Sequence, residues 1–236
     1  TPLYSSAASD VYKRQGNIRQ RMIAVILRRE GRTGKTYRIS TQEDNGAFAK
    51  SSNYLQETAS RKELVSPLPD EDIDVVSVEQ RRLVAFGLRK WSDVFSSRQK
   101  VSILSFLEKT RLAHRAMLEK GVDPEYAKAI ACYLAIAVDR IADYNSLRSR
   151  WHVSKEVVGN TLTRQAFPMV WDYHELNPFG NSTGSWQSAL EWILRVIDHC
   201  TRAAERPATV LTASAIQLPY EDETFDAVLT DPPYYN

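Results

Sequence analysis

The chain has 236 residues, 43% of them hydrophobic and 25% charged, with a formal net charge of only +2. That is enough to bury a core in one large or two modest domains, and the composition is ordinary for a soluble globular protein. The overall charge gives little support for nucleic-acid binding, although arginines and lysines crowd residues 13–38. The two cysteines, with no CxxC pair, argue against a disulfide framework or an internal zinc site.

No apolar stretch approaches the roughly 20 residues that span a bilayer, and no signal peptide is evident. The expected compartment is therefore a reducing one, most simply the cytoplasm. Residues 1–15, TPLYSSAASDVYKRQ, show no periodicity and resemble an adaptor-derived, non-native leader, so the sequence reads as a fragment.

Residues 16–40 predict a basic β-hairpin. Met22 to Leu27 is apolar, Glu30 to Gly34 is turn chemistry, and Tyr37 to Ile39 returns. The GRTGKT within it looks like a phosphate-binding loop, but that pattern needs a glycine where Arg29 stands, and a strand follows instead of a helix. Residues 40–80 are polar, broken by Pro67 and Pro69, and residues 41–95 are expected to be a linker with short elements.

A helical region is expected over 96–200. Ser96 and Gln99 form a capping-box signature, and Val101, Leu104 and Leu107 follow at helical spacing before Gly121 stops the helix. Asp123-Pro124 opens the next helix. Its run through Ile130, Leu134, Ala137, Val138 and Ile141 predicts a buried central helix, with Cys132 in the core. Residues 146–184 look irregular. His152 and His174 lack metal-ligand partners at useful spacing and read as structural, so no metal is expected. Ser185 caps a last helix striped with Trp186, Leu190, Ile193 and Ile197.

The pattern changes over 205–236. Ala208 to Ala213 and Phe225 to Thr230 read as strands around the turn Leu218 to Glu223, and the sequence closes on Asp231-Pro232-Pro233-Tyr234-Tyr235-Asn236. At roughly 5% usage per residue type, a DPPY tetrapeptide arises by chance in about one such chain in a thousand. The preceding apolar run places Asp231 at a strand's carboxyl end, the edge at which open α/β sheets bind ligands.

Those residue types suit methyl transfer to an exocyclic amine, whose lone pair is delocalised into its ring. Asp231 would accept one N–H and the Pro232 carbonyl the other, drawing the nitrogen towards tetrahedral geometry. Pro232 and Pro233 restrict the backbone, and Tyr234 would stack on a base turned out of its helix. Catalysis of this kind is positioning and electrostatic preorganisation. The alternative is a rigid turn after a strand, and for Tyr235 simple packing is an equal reading.

The segment SAIQLPYEDETFDAVLTDPPYYN resembles the class I, Rossmann-like methyltransferases that modify adenine N6 or cytosine N4. More specifically, residues 18–236 look like the large adenine-specific DNA methylases with an N-terminal domain of unknown function and a zinc-ribbon insertion. The matching stretches include YRISTQED at 37–44, DRIADYNS at 139–146 and QAFPMVWD at 165–172, continued by Asn177-Pro178-Phe179 and Ser185-Trp186.

The resemblance implies an α/β fold: a partial Rossmann-like methyltransferase core at the C-terminus, a mostly α-helical preceding region and the N-terminal basic hairpin. It implies S-adenosylmethionine as cofactor and DNA with a flipped-out target base as partner, without a membrane. The family's glycine-rich cofactor loop lies upstream of this region, followed by the zinc ribbon, and neither is in this sequence; Phe179 to Gly184 lacks the spacing to replace the loop. Where related enzymes often place an acidic residue on the cofactor's adenine, Ser214 and Ala215 stand here and would rely on backbone or hydroxyl groups. Leu147-Arg148-Ser149-Arg150 also departs from the expected spacing.

Arg148, Arg150, Trp151 and Arg164 are candidates for a nucleic-acid surface, with arginines on phosphates and the indole stacking; an interior Trp151 with surface arginines is the competing reading. The initial Asp favours adenine N6 over cytosine N4. The alternatives are an RNA or other amino-methyltransferase and a non-catalytic nucleic-acid-binding module. The 236-residue piece is expected to be inactive alone.

Overall fold

The computed structural model describes residues 20–28, 34–60, 68–162, 170, 172–203, 206 and 208–231. Among them the chain is a mixture of helices and two small antiparallel sheets, divided into one unit up to Val196 and a second from Ile197. The leader at 1–15, Arg29, Arg164, Phe167 to Met169, Trp171 and Pro232 to Asn236 lie outside the described residues.

The expected first hairpin forms. Strand β1 (Ala24–Leu27) pairs with β2 (Thr36–Ile39), Ala24 opposite Ile39 and Leu27 opposite Thr36. The segment after Gly34 is strand, as the turn reading of GRTGKT requires. Two strands alone are marginal in water, and side-chain contacts supply the support described below.

Helix α1 (Gln42–Ser60) is longer than the short element expected in this polar stretch. Its start is reciprocal: the Thr41 N–H donates to Asp44 Oδ2 at 2.7 Å and the Asp44 N–H to Thr41 Oγ1 at 3.3 Å. Arg38 donates to both Asp44 oxygens. That pairing, with the bonds from Thr41, holds the Asp44 carboxyl far below the usual carboxylate range. Leu55 is the buried residue of this helix, which packs on α3.

Helix α2 (Val78–Ala85) begins at a Ser77–Gln80 capping box and ends in a Schellman motif. Gly87 sits at φ +89°, its N–H donates to Val84 O at 3.0 Å, and the Leu88 N–H to Leu83 O at 3.1 Å. Leu83 packs with Ile73 and Val94 in a small core walled by Leu88, Trp91 and Phe95. A single 3-10 turn, Trp91–Val94, leads into α3 (Ser97–Glu119).

Ser96 and Gln99 cap α3 reciprocally, and Gly121 ends it at φ +75°. Asp123 then accepts from the Tyr126 N–H at 2.9 Å, and Pro124 opens α4 (Pro124–Tyr144), which packs on α3. Helix α4 buries Ala127, Ala137, Val138 and Ile141, but it is not buried all round. Cys132 is exposed rather than in the core, because it lies in the helical phase of exposed Tyr133 and Ile136 and away from that buried stripe.

The irregular stretch holds an unanticipated hairpin, β3 (Arg150–His152) against β4 (Val157–Gly159). Ser185 caps α5 (Trp186–Ala203), accepting from the Ser188 N–H at 3.3 Å.

The expected strands at 208–213 and 225–230 do not form among the described residues; an isolated bridge between Ser214 and Gln217 is the pairing present there. A strand needs a neighbour for its N–H and C=O groups. Val210, Ile216, Val228 and Leu229 are correspondingly exposed, Leu229 at 97%. No helix among the described residues is long and apolar enough to cross a membrane.

Candidate functional site

Asn145 to Ser149, four polar residues around Leu147, are all buried. Burial requires their polar groups to find partners, and most do. The Leu147 N–H donates to Val94 O at 2.8 Å, Ser146 and Thr161 share a hydroxyl bond of 2.7 Å, and the Leu176 N–H donates to Asn145 Oδ1 at 2.7 Å. Ser149 Oγ accepts from the His174 N–H at 3.1 Å and donates to the His174 carbonyl. Residues 174–176 thereby form a strap over the segment.

Arg148 is the exception. It is 2% exposed, and its Nε and both Nη atoms are buried without a hydrogen-bond partner. Desolvation pushes its pKa down to about 10, which leaves it charged at neutral pH. The guanidinium is therefore enclosed rather than presented to phosphates.

Arg150 is half-buried, and Trp151 is already engaged. His174 stacks on it at 5.4 Å between ring centroids, Lys35 Nζ lies 4.7 Å over the ring, and Tyr37 meets it edge-on at 6.3 Å. Lys35 donates to the Glu156 carbonyl and Tyr37 OH to Glu156 Oε1 at 3.0 Å, so the cluster joins the two hairpins. Glu156 takes φ +48° to present these acceptors. Desolvation lowers the Lys35 pKa against the pull of Glu156. Burial likewise lowers that of His174, whose Nδ1 has no hydrogen-bond partner.

A second polar centre lies at the start of α3. Glu175 accepts from Ser96 Oγ at 2.5 Å and pairs with Arg98. Beside it runs an open cleft of about 450 Å³ lined by Phe48, Asp93, Ser96, Lys100 and Leu147. Desolvation lowers the Lys100 pKa, opposed by Asp93.

On α4 and α5 the structure assembles a group that sequence reasoning missed. The Arg140 guanidinium lies 5.6 Å from the Trp192 ring centroid and 5.5 Å from that of Tyr144, and the Arg195 guanidinium lies 5.8 Å from Trp192. The spacing of Trp192 and Arg195 on one helix was a visible signal; the approach of Arg140 from another helix was not.

Of the proposed catalytic loop, Asp231 is described and exposed. The proposed cofactor contacts, Ser214 and Ala215, lie in an exposed tight turn in which Ser214 Oγ accepts from the Ile216 N–H at 3.3 Å. Nearby, Tyr220 and Phe225 pack edge to face at 4.7 Å, and Glu223 turns the chain at φ +63°. No group of three or more potential metal ligands occurs among the described residues. No family model, curated protein or solved structure matches the chain.

Proposed function

We propose that this sequence carries the target-amine loop of an S-adenosylmethionine-dependent DNA methyltransferase acting on adenine N6. The observation that carries the reading is Asp231-Pro232-Pro233-Tyr234 directly after the apolar run Asp226 to Thr230. The apolar run Ala227 to Leu229 supports the finer reading of a Rossmann-like strand, because the buried strands of parallel sheets read as near-continuous apolar runs.

The role of Asp231 follows from its chemistry. A carboxylate that accepts an N–H from the target amine localises the nitrogen lone pair and stabilises the positive charge that develops as the new bond forms. The Pro232 carbonyl would take the second N–H, and Tyr234 would hold the extruded base by stacking. S-adenosylmethionine, when bound, would supply the methyl group by breaking the carbon–sulfur bond of its sulfonium and leaving as the thioether. The turn at Ser214 and Ala215 offers one hydroxyl and no carboxylate to an adenosine, so the described residues do not fit a complete cofactor pocket.

The test is tritium transfer from S-adenosylmethionine to DNA by the gene product that carries this sequence, with Asp231→Ala as control. Loss of about 10²-fold or more in rate is expected from removing one preorganised electrostatic partner. Equal methylation by the alanine variant would refute the assignment. DNA binding without methylation by the unaltered protein would favour the non-catalytic module.

A further inference from the structure

We infer that Arg140, Trp192 and Arg195 form a phosphate-backbone clamp for DNA, an inference that rests on the DNA-directed reading above. Two cations occupy one indole: the guanidinium carbons of Arg140 and Arg195 lie 5.6 and 5.8 Å from the Trp192 centroid. Trp192 is 51% exposed, so the group lies at the surface.

An arginine in cation–π contact with an aromatic ring still has N–H donors to offer, and these form the fork that matches an oxyanion. The ring contact also restricts side-chain freedom that a phosphate contact would otherwise have to freeze. The cations are not spent on carboxylates. Neither Arg140 nor Arg195 has an ion pair among the described residues. Glu191, one turn before Arg195, accepts from Gln187, and Asp143 accepts from the Leu162 N–H. Arg140 Nε is buried without a partner, so a phosphate contact falls to its terminal nitrogens.

Two cations without ion pairs among the described residues, on one exposed ring, favour a polyanion over a lone carboxylate, and this group takes the role that the enclosed Arg148 cannot. Phosphate contacts position a protein on the duplex without reading sequence. The clamp therefore sets affinity and salt dependence, not the recognition site.

The experiment is fluorescence-anisotropy titration of labelled duplex DNA against salt, using the full chain, Arg195→Gln, Arg140→Lys and the double variant Arg140→Gln/Arg195→Gln. Circular dichroism confirms folding of each. Arg195→Gln should weaken binding about tenfold near 0.1 M salt and reduce the salt slope by about one. Arg140→Lys keeps the charge but loses the fork, so weaker binding with an unchanged slope is expected. The double variant should lose about two units of slope.

Wild-type affinity and slope retained in the folded double variant would overturn the clamp while leaving the methyltransferase reading intact. Absence of DNA binding by the unaltered chain would overturn the clamp, and methyl transfer by the gene product would still test the enzyme separately. Stronger competition by polyglutamate than by duplex DNA would overturn it in favour of an acidic protein partner.

Discussion

Ser149 and His174 bond to each other twice across 25 residues of chain: the serine hydroxyl accepts from the histidine N–H at 3.1 Å and donates to the same residue's carbonyl. Ser149 is fully buried, so its removal leaves two backbone groups without that partner. Ser149→Ala is expected to cost about 1–3 kcal/mol, measured by urea unfolding. A loss below about 0.5 kcal/mol would show that the strap does not depend on this hydroxyl.

The pH dependence of stability has a defined sign. Burial depresses the His174 pKa below its ordinary 6.5, against opposing contributions from Asp172 and Ser149. Between the depressed folded value and 6.5 the unfolded chain holds a proton that the folded chain does not. Stability from this group is thus fully present above the ordinary value and declines as pH falls through the window. His174→Phe retains a ring against Trp151 and should flatten the profile below the ordinary histidine value. An unchanged slope in thermal melts would exclude His174 as the source.

Arg148 gives the opposite of the usual core-mutation result. A buried cation without a partner is a net cost, and a well-packed apolar chain of similar size relieves it. Arg148→Met should raise stability by about 1–3 kcal/mol and leave DNA affinity unchanged, because the guanidinium is enclosed. Denaturant titration and anisotropy check the two halves separately.

Gly184 combines two constraints. It sits at φ +86°, and a Cβ there would lie 2.8 Å from both Leu176 Cδ1 and Tyr144 Cγ. Gly184→Ala is expected to destabilise by about 2–4 kcal/mol through backbone strain and overpacking. Chemical denaturation measures it, with Gly46→Ala as a control because a Cβ there meets nothing within 4 Å.

Much of the helical skeleton was legible because its signals are local. Ser96 with Gln99, Asp123 with Pro124, Gly121 and Ser185 each act within about one turn of themselves. The same holds for the hairpin ending at Ile39. The burial of Asn145 to Ser149 was not legible, because it depends on bonds to Val94, Thr161 and residues 174–176. Cys132 was misplaced because a run apolar on several sides does not say which side a neighbour covers. The expected strands at 208–213 and 225–230 illustrate the same limit, since a strand exists only with a partner. The proposed role of Asp231 rests on its sequence neighbours Pro232 and Tyr234, whereas the pairing of Arg140 with Trp192 required the tertiary structure.

The strap also bears on the order in which the protein assembles. The α3–α4 hairpin closes through Lys120 to Asp123 and needs only nearby residues, whereas Ser96 meets Glu175 across 79 positions and Asn145 meets Leu176 across 31. Contacts of such separation carry the loop-closure entropy and raise the contact order. The hairpin can therefore form early, with residues 174–176 docking late as a latch. Amide exchange at His174 and Leu176 should then report release of that latch, while the middle of α3 remains protected until the whole unit opens.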